Sequence, residues 1–482
     1  MNWNRMLSGA VVVLLLQGRS LAADAFQSGS RLKDPLKQLV LDRRVIAETQ
    51  GVRLALGQVR KEPRNPLFQA DRPWENALNN LYPNVVFDEE ERRFKLWYKC
   101  VLADTNSAAK LSPPNLINGV GWLLCYATSR DGLAWDKPEL GLQSFDGSTQ
   151  NNAVARDVAN AGIFKDLHDP DPARRYKLIY DVGVGQLRVR FSPDGLHWGA
   201  PLAPKGFGSR NGDTHNNAFW DERLGNYVLS TRLYPGERLV ARFESSDFLN
   251  WKNSGVVLRS TPAEGKLCQT YCLSMFPYAN GYLGFVMMYK AGSDRTVACE
   301  LAWSADSVAW ERIAPGVPFI PRGPANSYDS GCIYAQAGPP AVKDGQLWIY
   351  YGGSREVHRG WKRHCLPCLA RVRLDGFAGY EPVAADQPGT LLTQPLRCVA
   401  DDLRVSADVR GALRAGLAGV AGYGLDACEP VRTDATDRVI RWKGGRTLAG
   451  LKGTTVQIQF QLDDAKLYAF SGLELPATAD RK

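Results

Sequence analysis

Four copies of one short pattern constrain this fold more than any other feature of the chain. Ser129-Arg-Asp-Gly-Leu-Ala-Trp135, Ser192-Pro-Asp-Gly-Leu-His-Trp198, Ser245-Ser-Asp-Phe-Leu-Asn-Trp251 and Ser304-Ala-Asp-Ser-Val-Ala-Trp310 all read Ser-x-Asp-x-x-x-Trp. Recurrence at this spacing marks an array of similar supersecondary units. Asp at the head of a turn accepts hydrogen bonds from backbone further on, and Gly supplies a positive φ. The Trp then opens the next strand and packs between sheets. A strand-like run precedes each box: Trp122-Leu-Leu-Cys-Tyr-Ala127, Leu187-Arg-Val-Arg-Phe191, Leu239-Val-Ala-Arg-Phe243 and Val297-Ala-Cys-Glu-Leu-Ala302. Hairpins lie upstream, as in 84–88 to 94–98 and 217–220 to 227–230. Each unit therefore reads as about four strands with the box between the third and the fourth, which is a propeller blade.

A fifth unit, 326–380, has a hairpin from Pro340-Ala-Val342 to Leu347-Trp-Ile-Tyr-Tyr351 and no box. Arg371-Val-Arg-Leu374 serves as its third strand, and the N-terminal segment is expected to complete the ring. After Gly389-Thr-Leu-Leu-Thr393 the pattern changes to strands at 403–407, 412–417, 455–462 and 466–470, a small accessory sandwich. The expected fold is all-β: a five-bladed β-propeller followed by a small C-terminal β-sandwich. The expected divisions are a signal peptide at 1–22, an N-terminal arm wrapping the propeller at 23–70, the propeller at 71–384 and the sandwich at 385–482. The 46 Gly and 28 Pro among 482 residues suit a fold with this many turns.

The first residues carry an export signal. Asn2 to Arg5 form a short n-region, Leu7 to Leu16 an apolar core, and Ser20-Leu21-Ala22 places small residues where a signal peptidase reads. The apolar run is half the roughly 20 residues that span a bilayer, so cleavage after Ala22 is expected, with Ala25 as the alternative. The mature protein is expected to be periplasmic or extracellular and free of the membrane. Export makes the 10 cysteines candidates for structural disulfides or buried thiols. Cys365-Leu-Pro-Cys368 lacks a second pair at metal-ligand spacing, so no metal site is expected. The net charge of +9 comes from Lys and Arg scattered among acids, with no basic block, which argues against nucleic acid.

The residues also carry a family likeness. Leu39-Val-Leu-Asp42, Asp71-Arg-Pro-Trp-Glu75, Tyr126-Ala-Thr-Ser-Arg-Asp-Gly132, Asp213-Thr-His-Asn-Asn-Ala-Phe-Trp-Asp221 and Ile349-Tyr-Tyr-Gly-Gly353 resemble the five-bladed propeller glycoside hydrolases of families 32, 43, 68 and 117. The nearest likeness is to exported bacterial proteins described as family-32-like. Val439-Ile-Arg-Trp442, Leu451-Lys-Gly453 and Ala465-Lys-Leu-Tyr-Ala-Phe470 are similar to the β-sandwich that follows the family-32 propeller. The resemblance implies three acids at the starts of innermost strands, converging on a central funnel.

Glycoside hydrolysis usually needs two carboxyl groups flanking the bond. Asp213, in Gly212-Asp-Thr-His-Asn-Asn217, precedes the innermost strand of the third unit. Asp329, in Ser327-Tyr-Asp-Ser-Gly331, sits equivalently in the fifth, and Glu75, in Pro73-Trp-Glu-Asn76, lies before the first. These three are the catalytic candidates; an Asx-turn cap is the alternative for Asp213. His215, Asn216, Trp74, Arg232, Glu356 and His358 are the substrate-binding candidates, with a buried structural histidine, a core tryptophan and a salt-bridged arginine as the alternative readings. Asp88, Asp221, Asp344 and the box aspartates Asp131, Asp194, Asp247 and Asp306 read as turn residues, since one site does not need four copies. Asp169-Pro-Asp171 reads as a solvated turn rather than a calcium site.

The expected function is an exported glycoside hydrolase acting on a poly- or oligosaccharide, with acidic glycans among the candidates and no cofactor. A glycoside phosphorylase on the same fold would need a basic phosphate site in the funnel. A non-catalytic carbohydrate-binding propeller is the alternative from another class.

Overall fold

The computed structural model describes residues 26–476 except 112–119, 184 and 385. The signal peptide expected at 1–22 lies outside the described residues. The chain is nearly all β, and its strands follow one another as antiparallel meanders.

The first meander pairs Asn84–Asp88, Arg93–Leu102, Gly121–Ser129 and Ala153–Arg156 in sequence order. The second pairs Ala159–Lys165, Tyr176–Asp181 and Leu187–Ser192, and a bridge from Val189 to Leu202 adds a fourth crossing. The third comprises Asn217–Asp221, Asn226–Leu233, Leu239–Ser245 and Lys252–Leu258. The fourth comprises Cys268–Tyr278, Gly281–Lys290, Thr296–Ser304 and Trp310–Arg312. In the fifth, Cys332–Ala335 pairs with Gln346–Ser354 and then Cys365–Arg373, and Arg60–Lys61 adds the outermost strand. A strand from before the first meander thus closes the last. The third strand of this unit is longer than the segment expected at 371–374.

Hydrogen bonds tie the first strands together. Asn84 Nδ2 donates to Ala161 O, and Asn84 Oδ1 accepts from Ile163 N at 2.8 Å, linking the first and second meanders. Asn217, the corresponding residue of the third, accepts from Met275 N of the fourth at 3.0 Å. The approach is so close that a Cβ on Gly162 would lie 1.4 Å from Asn216 O, so only glycine fits there. Ala337 bridges back to Asn84, joining the fifth meander to the first.

The boxes explain how neighbouring sheets seal. In each copy the Asp carboxylate accepts from the Ser hydroxyl and from two backbone N–H groups ahead, as Asp194 does from Ser192, Leu196 and His197. Asp131, Asp247 and Asp306 repeat those bonds. The residue after each Asp has φ between 62° and 80°; Gly132 and Gly195 adopt this freely, while Phe248 and Ser307 are held in it. Trp198 packs into the core between the first and second meanders, Trp251 between the second and third, and Trp310 between the third and fourth. Trp135 packs against Tyr350 of the fifth meander and Phe94 of the first. Full burial of a large apolar side chain contributes about 1.5–3 kcal/mol; Trp251 is buried and the other three are partly buried, so each box fixes a turn and a sheet interface together.

The remaining strands form a separate core around Val405, Leu413, Trp442, Phe460 and Leu467. Here the structure departs from expectation. Segments 403–407 and 412–417 form one strand, Arg404–Leu417; of the expected 455–462, Thr455–Val456 stands as its own strand and the rest joins 466–470 in Ile458–Ser471, which pairs with the first along its length. The break seen in the sequence is a register shift between Val409 and Ala412, a bulge that bends the ribbon without ending it. Residues 37–56, from the segment expected as an arm wrapping the propeller, contribute strands to this part of the chain. Lys37–Leu39, Ile46–Gln50 and Val52–Leu56 pair with Ile458–Ser471, Gly389–Thr393 and Ala378–Pro382. A second small sheet joins Leu396–Cys398 to Thr455–Val456 and Leu473–Glu474.

All ten cysteines are free thiols, nine of them buried; Cys100 and Cys125 Sγ lie 3.3 Å apart. Among the described residues no cluster of His, Cys, Asp or Glu could hold a metal. No helix of the described residues is long and apolar enough to cross a membrane.

Candidate active site

All five meanders contribute to a cavity of about 300 Å³. The first supplies Lys99 and Trp122, with Asn79 and Asn80 from the segment leading into it. The second supplies Asn160 and Asp181, the third Asp213, Arg232 and Arg238, and the fourth Tyr271. The fifth supplies His358, Arg359, Trp361 and Arg363, all from the loop between its second and third strands.

Asp213 stands at the centre of this arrangement. Its side chain is 57 % exposed, and its Oδ2 accepts from Arg232 Nη1 at 2.8 Å. Arg232, only 2 % exposed, also donates to Tyr271 O, and its guanidinium lies over the Tyr271 ring at 4.5 Å. Asp213 takes a positive φ of 54°, after Gly212 at 89°. Two left-handed residues in succession turn the chain sharply and present the carboxylate to the cavity. The turn is anchored from below: Asp213 N donates to Asp181 Oδ2 at 2.7 Å.

Asp181 ends its strand beneath that turn. Asn160 Nδ2 donates to the same oxygen at 2.8 Å, and Oδ1 has no partner among the described residues. Burial, with the neighbouring charge of Asp213 adding to it, pushes the Asp181 carboxyl up to about 8 despite the Asn160 bond. Two carboxyl groups thus sit side by side in unlike surroundings: Asp213 exposed and ion-paired, Asp181 buried and neutral at pH 7.

The cations make the second feature. Lys99 lies over the rings of Tyr82 and Trp122 and donates to Asn160 Oδ1 at 3.0 Å. Burial first, and then the charge of Arg363, pulls its ammonium down to about 7. Arg363, almost wholly buried, donates to Asn79 Oδ1, to Tyr334 Oη and to His358 Nδ1. His358 Nδ1 faces both Arg363 and the Tyr334 hydroxyl, at 3.0 and 2.9 Å. Burial and the converging charges of Arg363, Arg238, Arg232 and Lys99 hold His358 well below the usual histidine range, so it is neutral.

Of the residues proposed from sequence, Asp213, Arg232 and His358 line the cavity, and the others do not. Asp329 is 1 % exposed and held by Lys61, from the closing strand, and by Tyr351 Oη at 2.9 Å. Glu75 is likewise buried: Lys137 Nζ lies 2.7 Å from Oε2, and Tyr98 Oη donates to Oε1 at 2.6 Å. Trp74 donates to Asn152 Oδ1 and packs on the core. His215 is fully buried, stacked on Tyr82 and near Asn84 Oδ1; burial and Lys99 push it down to about 3. Asn216 is spent on Asn160 O and Thr231 Oγ1. Glu356 accepts from Ser354 Oγ and lies beside His364. Asp169, expected in a solvated turn, is instead buried and paired with Lys177 and Arg174, while Asp171 caps a short helix.

Sequence reading missed Asp181, Lys99, Arg238 and Arg363. A signal existed for Lys99, a charge inside the otherwise apolar run Trp97-Tyr-Lys-Cys-Val-Leu102. Asp181 had a weaker one, an acid closing the otherwise apolar Leu178-Ile-Tyr-Asp181.

No protein-family model matches the sequence, and a search of curated proteins gives no match. The narrower family-32 likeness therefore finds no support. Several solved structures are similar at low identity. One is the β-1,2-mannobiose phosphorylase of Listeria innocua, 14% identical, covering 66% of this chain and 97% of its own, with a TM-score of 0.43. Another is a family 130 glycoside hydrolase that targets β-1,2 mannosidic linkages in Candida mannan, 15% identical over 66% of this chain and 94% of its own, TM-score 0.40. A third is the catalytic domain of the Coprinopsis cinerea family 62 α-L-arabinofuranosidase, 14% identical over 66% and 97%, TM-score 0.40. Superpositions this loose say nothing about which residues react.

Proposed function

We propose that this chain is an exported carbohydrate-active enzyme that cleaves glycosidic bonds in the funnel of a five-bladed β-propeller, with a C-terminal β-sandwich built around residues 389–475. One observation carries the reading. The ends of all five meanders meet at a single cavity, and there the ion-paired, half-exposed Asp213 sits against the buried, protonated Asp181. Carboxyl groups whose surroundings drive their protonation apart are the arrangement that glycosidic cleavage uses. In hydrolysis Asp213 takes a proton from the attacking water, and Asp181 gives its proton to the departing glycosidic oxygen. Glu75 and Asp329, neutralised by Lys137 and Lys61, act as struts in this reading rather than as reacting groups. The experiment is sugar release by the mature protein from neutral and acidic glycans and from aryl glycosides. Loss of release in Asp213→Asn supports the assignment. Asp181→Asn should fail on glycans yet retain turnover of aryl glycosides whose leaving groups need no proton.

Glycoside phosphorolysis is the second reading, favoured by the cations around His358. Phosphate would then supply the nucleophile, and one carboxyl group would suffice. Release that requires inorganic phosphate and yields a sugar phosphate would establish it.

A further inference from the structure

Five cations line the cavity, Lys99, Arg232, Arg238, Arg359 and Arg363, against two carboxyl groups, Asp181 and Asp213. Asp213 is taken by Arg232. Among the described residues no carboxylate lies within ion-pair distance of Lys99, Arg238 or Arg363; their hydrogen-bond partners are neutral, Asn160 for Lys99, Gln269 for Arg238, and Asn79, Tyr334, His358 and Gly360 O for Arg363. Arg238 Nε is buried without a hydrogen-bond partner among the described residues. Gathering cations, Lys99 and Arg363 buried and Arg238 half-buried, with only neutral partners is costly, because aromatic faces offset desolvation and mutual repulsion only in part. A fold keeps such a cluster where an anion arrives to complete it.

We infer that Lys99, Arg238 and Arg363 form an oxyanion subsite beside Asp213, built to hold an anionic group that accompanies the glycan. The inference rests on reading this cavity as the glycan site. Planar guanidinium groups suit the oxygens of a carboxylate, sulfate or phosphate, and Arg363 is pre-set by three side-chain bonds. Trp361, 39 % exposed on the same wall, leaves an apolar face beside the charges for the ring of a sugar. The group has two chemical sources: a substituent on the sugar, as in a uronate or a sulfated residue, or free inorganic phosphate.

The test is titration calorimetry of the mature protein with glucuronate, glucose 6-sulfate, inorganic phosphate and uncharged glucose, in wild type, Lys99→Met and Arg238→Gln. Lys99→Met keeps an unbranched aliphatic side chain and removes the charge, and circular dichroism checks that each variant folds. The subsite predicts saturable binding of at least one oxyanion, weakened about tenfold or more in both variants. Binding of the acidic sugars assigns the anion to the glycan; binding of phosphate alone assigns it to a co-substrate. No oxyanion binding, or binding unchanged in both variants, overturns the subsite. If neutral glycans are cleaved at wild-type rates by both variants and no oxyanion binds, the enzyme reading stands and this inference falls. If oxyanions bind as expected and no glycan is cleaved, the subsite stands and the enzyme reading falls.

Discussion

The backbone N–H of Asp213 donates to the side chain of Asp181 at 2.7 Å, so the turn carrying the cavity's exposed carboxylate is anchored on the neighbouring meander. The bond crosses from the third sheet to the second. Asp181 thereby holds the turn, while burial first and then the charge of Asp213 keep it neutral against the pull of that same N–H bond.

That coupling has a measurable pH signature. The Asp181 carboxyl titrates at about 8 in the folded protein and at about 4 in the unfolded chain. Between those values the folded state binds a proton that the unfolded state has lost, so stability falls as pH rises through the window. Asp181→Asn, which mimics the neutral carboxyl, should flatten the decline. Melting temperatures of wild type and variant across that window check this; equal slopes would contradict a neutral Asp181.

Asp213→Asn should lower kcat by about 10²–10⁴-fold, the range for losing a proton-transferring group. It should also cost stability, because Arg232 is buried and would keep only Tyr271 O and a weaker amide partner. Steady-state kinetics with thermal melts separate the two effects. A variant that melts lower but turns over normally would confine Asp213 to a structural part.

The box turns should matter to folding and not to chemistry. Asp247→Ala removes the acceptor for Leu249 N, Asn250 N and Ser245 Oγ, a loss of about 1–3 kcal/mol at roughly 1 kcal/mol per bond. Urea unfolding should show that loss, with kcat per folded molecule unchanged.

Two glycines of like backbone should respond differently to the same change. Gly225 has φ of 61° and open space around it, so Gly225→Ala should cost about 1 kcal/mol from backbone strain alone. Gly195, at 80°, would place a Cβ 2.5 Å from Trp97 Cζ2 inside a sheet interface. Gly195→Ala should therefore cost about 2–4 kcal/mol. Equal losses in urea titrations would show that the interface yields.

The repeats were legible because each box is local: Ser, Asp and Trp lie within one short segment, and the turn they build needs no distant partner. Strands at 122–127 and 239–243 followed from the same reasoning. What failed was non-local. Lys61 and Lys137 reach Asp329 and Glu75 from segments 268 and 62 residues away, and no spacing rule signals that a carboxylate so placed is already neutralised. The strands at 37–56 were obscure for a related reason: their partners lie near the other end of the chain. Asp213 was found because its polar run before an apolar strand is unusual locally, whereas Asp181 becomes visible only once Asn160 and Asp213 converge on it.

The most direct measurement is sugar release from a panel of neutral and acidic glycans by wild type, Asp213→Asn and Asp329→Asn, each shown to be folded. The account predicts release by wild type and by Asp329→Asn, and none by Asp213→Asn. Release that survives in Asp213→Asn and is lost in Asp329→Asn would contradict it.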